Sequence, residues 1–137
     1  MWQRALALVF AVGCSGGAAT LSDDELLRRW YDAMEKQVTA DARHVAAERF
    51  ASRDEADEAV KSLTPVGFRP RPEYFQALYD AAGPPDALAR RLAAYAAAHG
   101  DDMERRVAPM IAHLKPLMQQ VFDNVQRQYP SESPARQ

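Results

Sequence analysis

Cysteine is nearly absent. The 137 residues contain one, Cys14, and a single thiol closes no intrachain disulfide and supplies neither a disulfide framework nor a cysteine zinc site. Glycine is scarce at six residues, which excludes a collagen-like chain. No sign of charge dominates: 17 basic and 19 acidic residues give a net charge of −2 and a pI near 5.9. Mucin-like and acidic disordered classes do not fit that balance. It also leaves no general field to attract nucleic acid, so no nucleic-acid partner is expected. Long apolar runs are missing too. The run from Ala5 to Val12 is well short of the ~20 residues that span a hydrocarbon core. No Gly-rich phosphate loop, Gly-x-Ser-x-Gly elbow or His-Glu-x-x-His occurs, and these would be the usual marks of nucleotide, hydrolase or metalloprotease chemistry.

What is present begins with an address. Arg4 precedes Ala5-Leu-Ala-Leu-Val-Phe-Ala-Val, and small residues follow, Gly13-Cys14-Ser15-Gly16-Gly17. That is the order of positive, apolar and cleavage regions in a secretory signal peptide, here residues 1–13. Gly17-Ala18-Ala19 is an alternative cleavage zone, releasing a free periplasmic protein from near Thr20. A third reading makes Cys14 a small hydrophobe in a core helix.

Ala11-Val12-Gly13-Cys14 resembles the lipobox of bacterial lipoproteins, with alanine where leucine is usual. The resemblance implies cleavage before Cys14 and lipid on its sulfur and new amine, making Cys14 the lipidation site. It also implies an outer-membrane destination, because Ser15 rather than an acid follows the cysteine. Each buried methylene of such an anchor contributes roughly 0.8 kcal/mol, and two or more chains hold it firmly. Cleavage there removes Arg4 alone among charged residues and leaves a net charge of −3. Residues 14–21 then form a lipid-anchored linker reaching at most about 25 Å at ~3.5 Å per residue.

From there the pattern is helical. Ser22-Asp-Asp-Glu25 is a capping box, and Leu27, Tyr31, Met34, Val38, Ala42 and Val45 recur at steps of three and four. This predicts a helix over 23 to about 50. Ser52-Arg-Asp-Glu55 restarts a helix through Ala56, Val60 and Leu63, and Thr64-Pro65 ends it. The connector Val66 to Pro72 contains the extended Arg69-Pro70-Arg71-Pro72. Pro72 opens a third helix with Gly83 as its cap, and Pro84-Pro85-Asp86 opens a fourth ending at Gly100. Asp101-Asp-Met-Glu104 starts the last, whose apolar stripe contains Pro109 and Pro116; an internal proline bends or segments a helix.

The expected fold is therefore all-α, a small bundle of four to five helices over 22–129 with a proline-bent last helix and a disordered tail at 130–137. Its expected core is Trp30, Tyr31, Met34, Tyr74, Leu78, Leu92, Val107, Ile111, Leu114 and Phe122. A local alternative is α+β. Phe50…Ser52…Ala56…Leu63…Gly67-Phe68 is similar to the sporulation-related peptidoglycan-binding repeat and to protein regulators of ribonuclease E, which implies a strand–helix–strand unit at 43–69.

Chemistry-bearing residues are few. His44 and Glu48 stand one turn apart, as two ligands of a metal or partners in a proton, but a catalytic zinc needs three. His99, Asp101 and Asp102 cluster at a helix junction, where the histidine suits one helix end and the acids the start of the next. Met103, Met110, His113 and Met118 offer copper(I)-type donors, or core filling around two prolines. Arg69 and Arg71 offer an anion grip. None forms a convergent set, so no catalytic, cofactor or metal site is assigned and no enzyme is expected. The expected role is a membrane-anchored, periplasm-facing interaction, assembly or accessory module of the cell envelope. It would touch the membrane through its lipid and act on an envelope protein partner. The alternative is a small-ligand or metal-binding helical module.

Overall fold

Ser22 starts the first helix as its composition requires. The amide of Glu25 donates to the Ser22 hydroxyl at 3.1 Å, and Asp23, Asp24 and Glu25 occupy the positive end of α1 (Asp23–Ala47). The computed structural model describes residues 21–130. The expected signal peptide, Cys14 and all but the last residue of the expected linker lie outside the described residues, as does the tail from 131.

The second capping box also forms, with one shift. Ser52 accepts from the Glu55 amide at 3.1 Å, while the Glu55 carboxylate reaches back to the amide of Ala51 at 3.2 Å. This opens α2 (Arg53–Lys61). Pro72 stands in the first turn of α3 (Pro72–Ala82), where its missing N–H costs nothing. Gly83 closes that helix at a φ of 123°, a backbone conformation open to glycine. α4 (Pro85–Ala98) follows Pro84 and stops at His99.

α5 (Gly100–Gln128) is one continuous helix with Pro109 and Pro116 inside it. It is not segmented, so the loss of two main-chain bonds is outweighed by the rest of its 29 residues. The fold is all-α, with five helices and no strand among the described residues.

The strand–helix–strand alternative at 43–69 is thereby corrected. Residues 43–47 belong to α1, 53–61 form α2, and 62–67 are turns. The physical reason is visible in the packing. Val38, Ala42 and Val45 bury one face of a helix, and Phe50 and Leu63 bury themselves at either end of α2 in the same cluster, while Pro65 and Pro70 deny a strand its donors.

The described chain groups into two compact units, one of residues 21–33 with 71–105, the other of 34–70 with 106–130. In the first, Leu26, Leu27, Phe75, Leu78 and Leu88 are buried. The Trp30 ring meets the edge of Phe75 at 5.0 Å, and Tyr79 stacks on Phe75 at 6.2 Å. In the second, Val38, Ala42, Val45, Phe50, Ala56, Leu63, Leu114 and Val121 form the core.

Of the residues expected inside, Leu78 and Leu114 are buried. Trp30, Tyr31, Met34, Tyr74, Leu92 and Val107 are half-buried, and Ile111 and Phe122 are exposed. The α5 stripe is wider than the face the core can use. The row that turns inward holds Leu114, Val121 and Asn124, which leaves Ile111 and Phe122 on its flank.

The turn after α2 closes tightly. The amide and hydroxyl of Thr64 both donate to the Lys61 carbonyl, at 3.0 and 2.7 Å, and the amide of Phe68 returns to the Thr64 carbonyl at 2.9 Å. A Cβ on Gly67 would sit 2.2 Å from that same Lys61 oxygen. Main chain cannot give way as a flexible side chain can. Gly67→Ala is therefore expected to lower stability by about 1–3 kcal/mol, read as an earlier urea midpoint. Gly100→Ala, with nothing within 4 Å of the new methyl, is its control and should lose nothing. Equal midpoints for the two variants would show that the turn is looser than described.

Candidate functional site

The residues that carry chemistry fall in four places. At the end of α1, the exposed His44 has its Nε2 3.2 Å from the carboxylate of Glu48, a half-buried residue just past the helix. At the α4–α5 junction, Tyr95 donates to one oxygen of Asp102 at 2.6 Å and Arg105 to the other at 3.2 Å. The His99 ring packs on Tyr95 at 4.5 Å, and the His99 carbonyl accepts from the amides of Asp102 and Met103. Asp102 thus spends both oxygens on protein donors. Around it lies an open depression of about 440 Å³ lined by His99, Asp101, Asp102 and Arg105.

The third place is His113. Its Nδ1 is 2.6 Å from Glu35 on α1, so the histidine joins two helices of the second unit. The methionines grouped with it by sequence are separated from one another in use. Met103 accepts from the Tyr31 hydroxyl at 3.7 Å in the first unit, whereas Met110 and Met118 pack on the core of the second.

The fourth is the proline segment. Arg69 folds its guanidinium onto the Phe68 and Val66 carbonyls at 2.9 and 3.3 Å, beside a depression of about 260 Å³ that Glu58, Lys61 and Ser62 also line. Arg71 lies over the Tyr74 ring at 5.4 Å and near Glu73 at 3.5 Å. Both arginines have local work, and an anion would have to displace it.

Among the described residues no group of three or more His, Cys, Asp or Glu is placed to hold a metal, and no helix is long and apolar enough to cross a membrane. One titratable group stands far from its ordinary value. Arg28 and then Arg29 hydrogen-bond the Glu25 carboxylate, which holds its pKa down to about 2. That pair-and-a-half is exposed and marks the start of α1 rather than a reactive centre.

Three residues that sequence reasoning passed over carry much of the polar structure. Gln37, almost wholly buried, donates to the Arg69 carbonyl at 2.8 Å. Asn124, buried, donates to the carbonyls of Val45 and Glu48 at 2.9 and 3.0 Å. Arg91 on α4 pairs with Asp23 at 2.7 Å and also donates to the Leu21 carbonyl, tying down the chain before α1. The signal available for Asn124 was its place in an apolar row, three residues after Val121.

Comparison with known proteins yields no match: no protein-family model, no curated protein and no solved structure is similar to this chain.

Proposed function

We propose that this chain is an envelope lipoprotein. Its helical body would be held at the periplasmic face of the outer membrane by acyl groups on Cys14, and it would serve as an interaction, assembly or accessory module. The observation that carries the reading is the position of the sole cysteine. It follows an apolar run and Ala11-Val12-Gly13, and it precedes small residues and then a capped helix. Arg91 fixes the carbonyl of Leu21, so the leash from Cys14 to the folded body is at most about 25 Å long. Tethering of that length confines the body to a thin layer and raises its effective concentration against other envelope components.

Cys14→Ser is the direct test. The wild-type chain should sediment with membranes and carry an N-terminal acylated cysteine by mass spectrometry, and the variant should move to the soluble fraction. An unacylated N-terminus beginning after position 14 would end the proposal in favour of ordinary secretion. Membrane retention unchanged by the substitution would also end it.

A further inference from the structure

Met103 makes a contact of a kind the other methionines lack. Its sulfur accepts from the Tyr31 hydroxyl at 3.7 Å, at a part-buried place within the first unit. A thioether is a weak acceptor, so the phenol gains little from it. Met34, Met110 and Met118 are half-buried like Met103, but they pack on the core of the second unit. None of these three has a hydrogen-bond donor at its sulfur among the described residues.

We propose that Met103 is a site of reversible oxidation by peroxide, with Tyr31 as the positioning residue that receives the product. The sulfur lone pair attacks one oxygen of hydrogen peroxide. The S–O bond forms as the O–O bond breaks, and the second oxygen leaves as water with both peroxide protons. Sulfur gives up two electrons and the peroxide is reduced. The thioether becomes a sulfoxide, a polar group that a sulfoxide reductase returns to the thioether.

The surroundings favour that product. Tyr31 already aims a donor at the sulfur, so a weak bond is exchanged for a stronger one. O–H···O contacts settle near 2.7 Å, and the present 3.7 Å leaves room for that once an oxygen stands on sulfur. Half-burial leaves the pair open to a solute as small as peroxide. The hydroxyl covers one side of the sulfur, so peroxide approaches from the other and one of the two sulfoxide epimers dominates. The unbranched side chain then turns the new oxygen to the hydroxyl. At Met34, Met110 and Met118 the same oxygen would enter apolar packing with no donor, which opposes its formation. Nothing in this chemistry depends on lipidation of Cys14.

The test treats the full chain carrying Cys14→Ser, which removes the competing thiol, with hydrogen peroxide and follows each methionine by peptide mass spectrometry. Met103 should be oxidised at least about fivefold faster than Met34, Met110 or Met118, and the two epimer-specific reductases should repair it unequally. Tyr31→Phe keeps the ring and removes the donor. With helicity unchanged, it should bring the Met103 rate within about twofold of the others and even out the epimers. Met103→Leu should leave the other three rates as they are. The epimer ratio of the parent chain stands without any variant at Tyr31. Three results would overturn the inference: Met103 oxidised no faster than the core methionines, equal epimers in the parent chain, or a rate and epimer ratio at Met103 unchanged by Tyr31→Phe, which is the behaviour of exposure alone.

Discussion

Phe75→Ala is expected to lose about 3–5 kcal/mol, the range for deleting a fully buried aromatic ring. Phe75 has no exposed surface, and it is the ring on which the first unit is assembled. Trp30 from α1 meets its edge at 5.0 Å and Tyr79 from its own helix stacks on it at 6.2 Å. Removing the ring leaves a cavity bounded by two larger aromatics that are themselves only half-buried. They cannot collapse into it without losing their other contacts, so the cavity cost is kept. Urea unfolding measures the loss. Near-ultraviolet dichroism adds a local readout, because Trp30 owes its fixed environment to Phe75.

A second local readout is Tyr79. Burial raises its phenol above the ordinary value of 10.0. Opening the Phe75 site to water should bring that pKa back toward 10, visible as earlier phenolate absorbance on raising the pH. Phe75→Leu, which keeps most of the volume, should fall between the wild type and the alanine variant. A loss under about 1 kcal/mol for the alanine variant would mean that the ring is not the centre of this unit.

The helices were legible because their ends are written locally. Ser22, Ser52, Pro72, Gly83 and Pro85 each act within four residues of themselves, through a hydroxyl, a fixed φ or a missing Cβ. Such effects do not depend on what lies elsewhere in the fold. The end of α1 depended on something else. The stripe continues apolar to Phe50, yet the helix stops at Ala47, because donors from α5 take the carbonyls of Val45 and Glu48. A partner some eighty residues away is invisible to a local pattern.

The same limit applied to the core and the sites. Periodicity placed Ile111 and Phe122 on an apolar stripe, but only packing decides which part of a wide stripe turns inward. The grouping into two units was equally silent, since its divisions fall inside α1 at Ala33 and inside α5 at Arg105, where the helical period continues unbroken. His113 was read with methionines of its own helix, whereas its neighbour in space is Glu35 on α1.

Asn124→Leu isolates the tertiary cap of α1, and it is expected to lose about 2–4 kcal/mol despite being nearly isosteric. The wild-type amide donates to Val45 and Glu48, and its oxygen accepts from Gln128 at 3.0 Å and Arg127 at 3.3 Å. Gln128 in turn donates to the Glu48 carbonyl at 2.9 Å and accepts from the Phe50 amide at 3.0 Å. Leucine removes both donors from carbonyls at a helix end that is now covered, and each group deprived of its partner costs about 1–3 kcal/mol.

The loss should stop short of a full double penalty, because each carbonyl retains one donor: the Glu48 amide at 3.3 Å on Val45, and Gln128 on Glu48. Gln128→Ala, at a half-buried position, should cost less than Asn124→Leu. The double variant breaks the Asn124–Gln128 bond only once but strips the Glu48 carbonyl of both side-chain donors, so its loss should differ from the sum of the two single losses. Asn124→Asp supplies the sign test. It replaces donors with a carboxylate facing two carbonyl oxygens, so it should be at least as destabilising as leucine at neutral pH and recover part of its loss when protonated. Hydrogen exchange at the amides of Glu48 and Phe50 should quicken in all three single variants. If leucine at 124 left both stability and exchange unchanged, the end of α1 would be set by the chain that follows it rather than by α5.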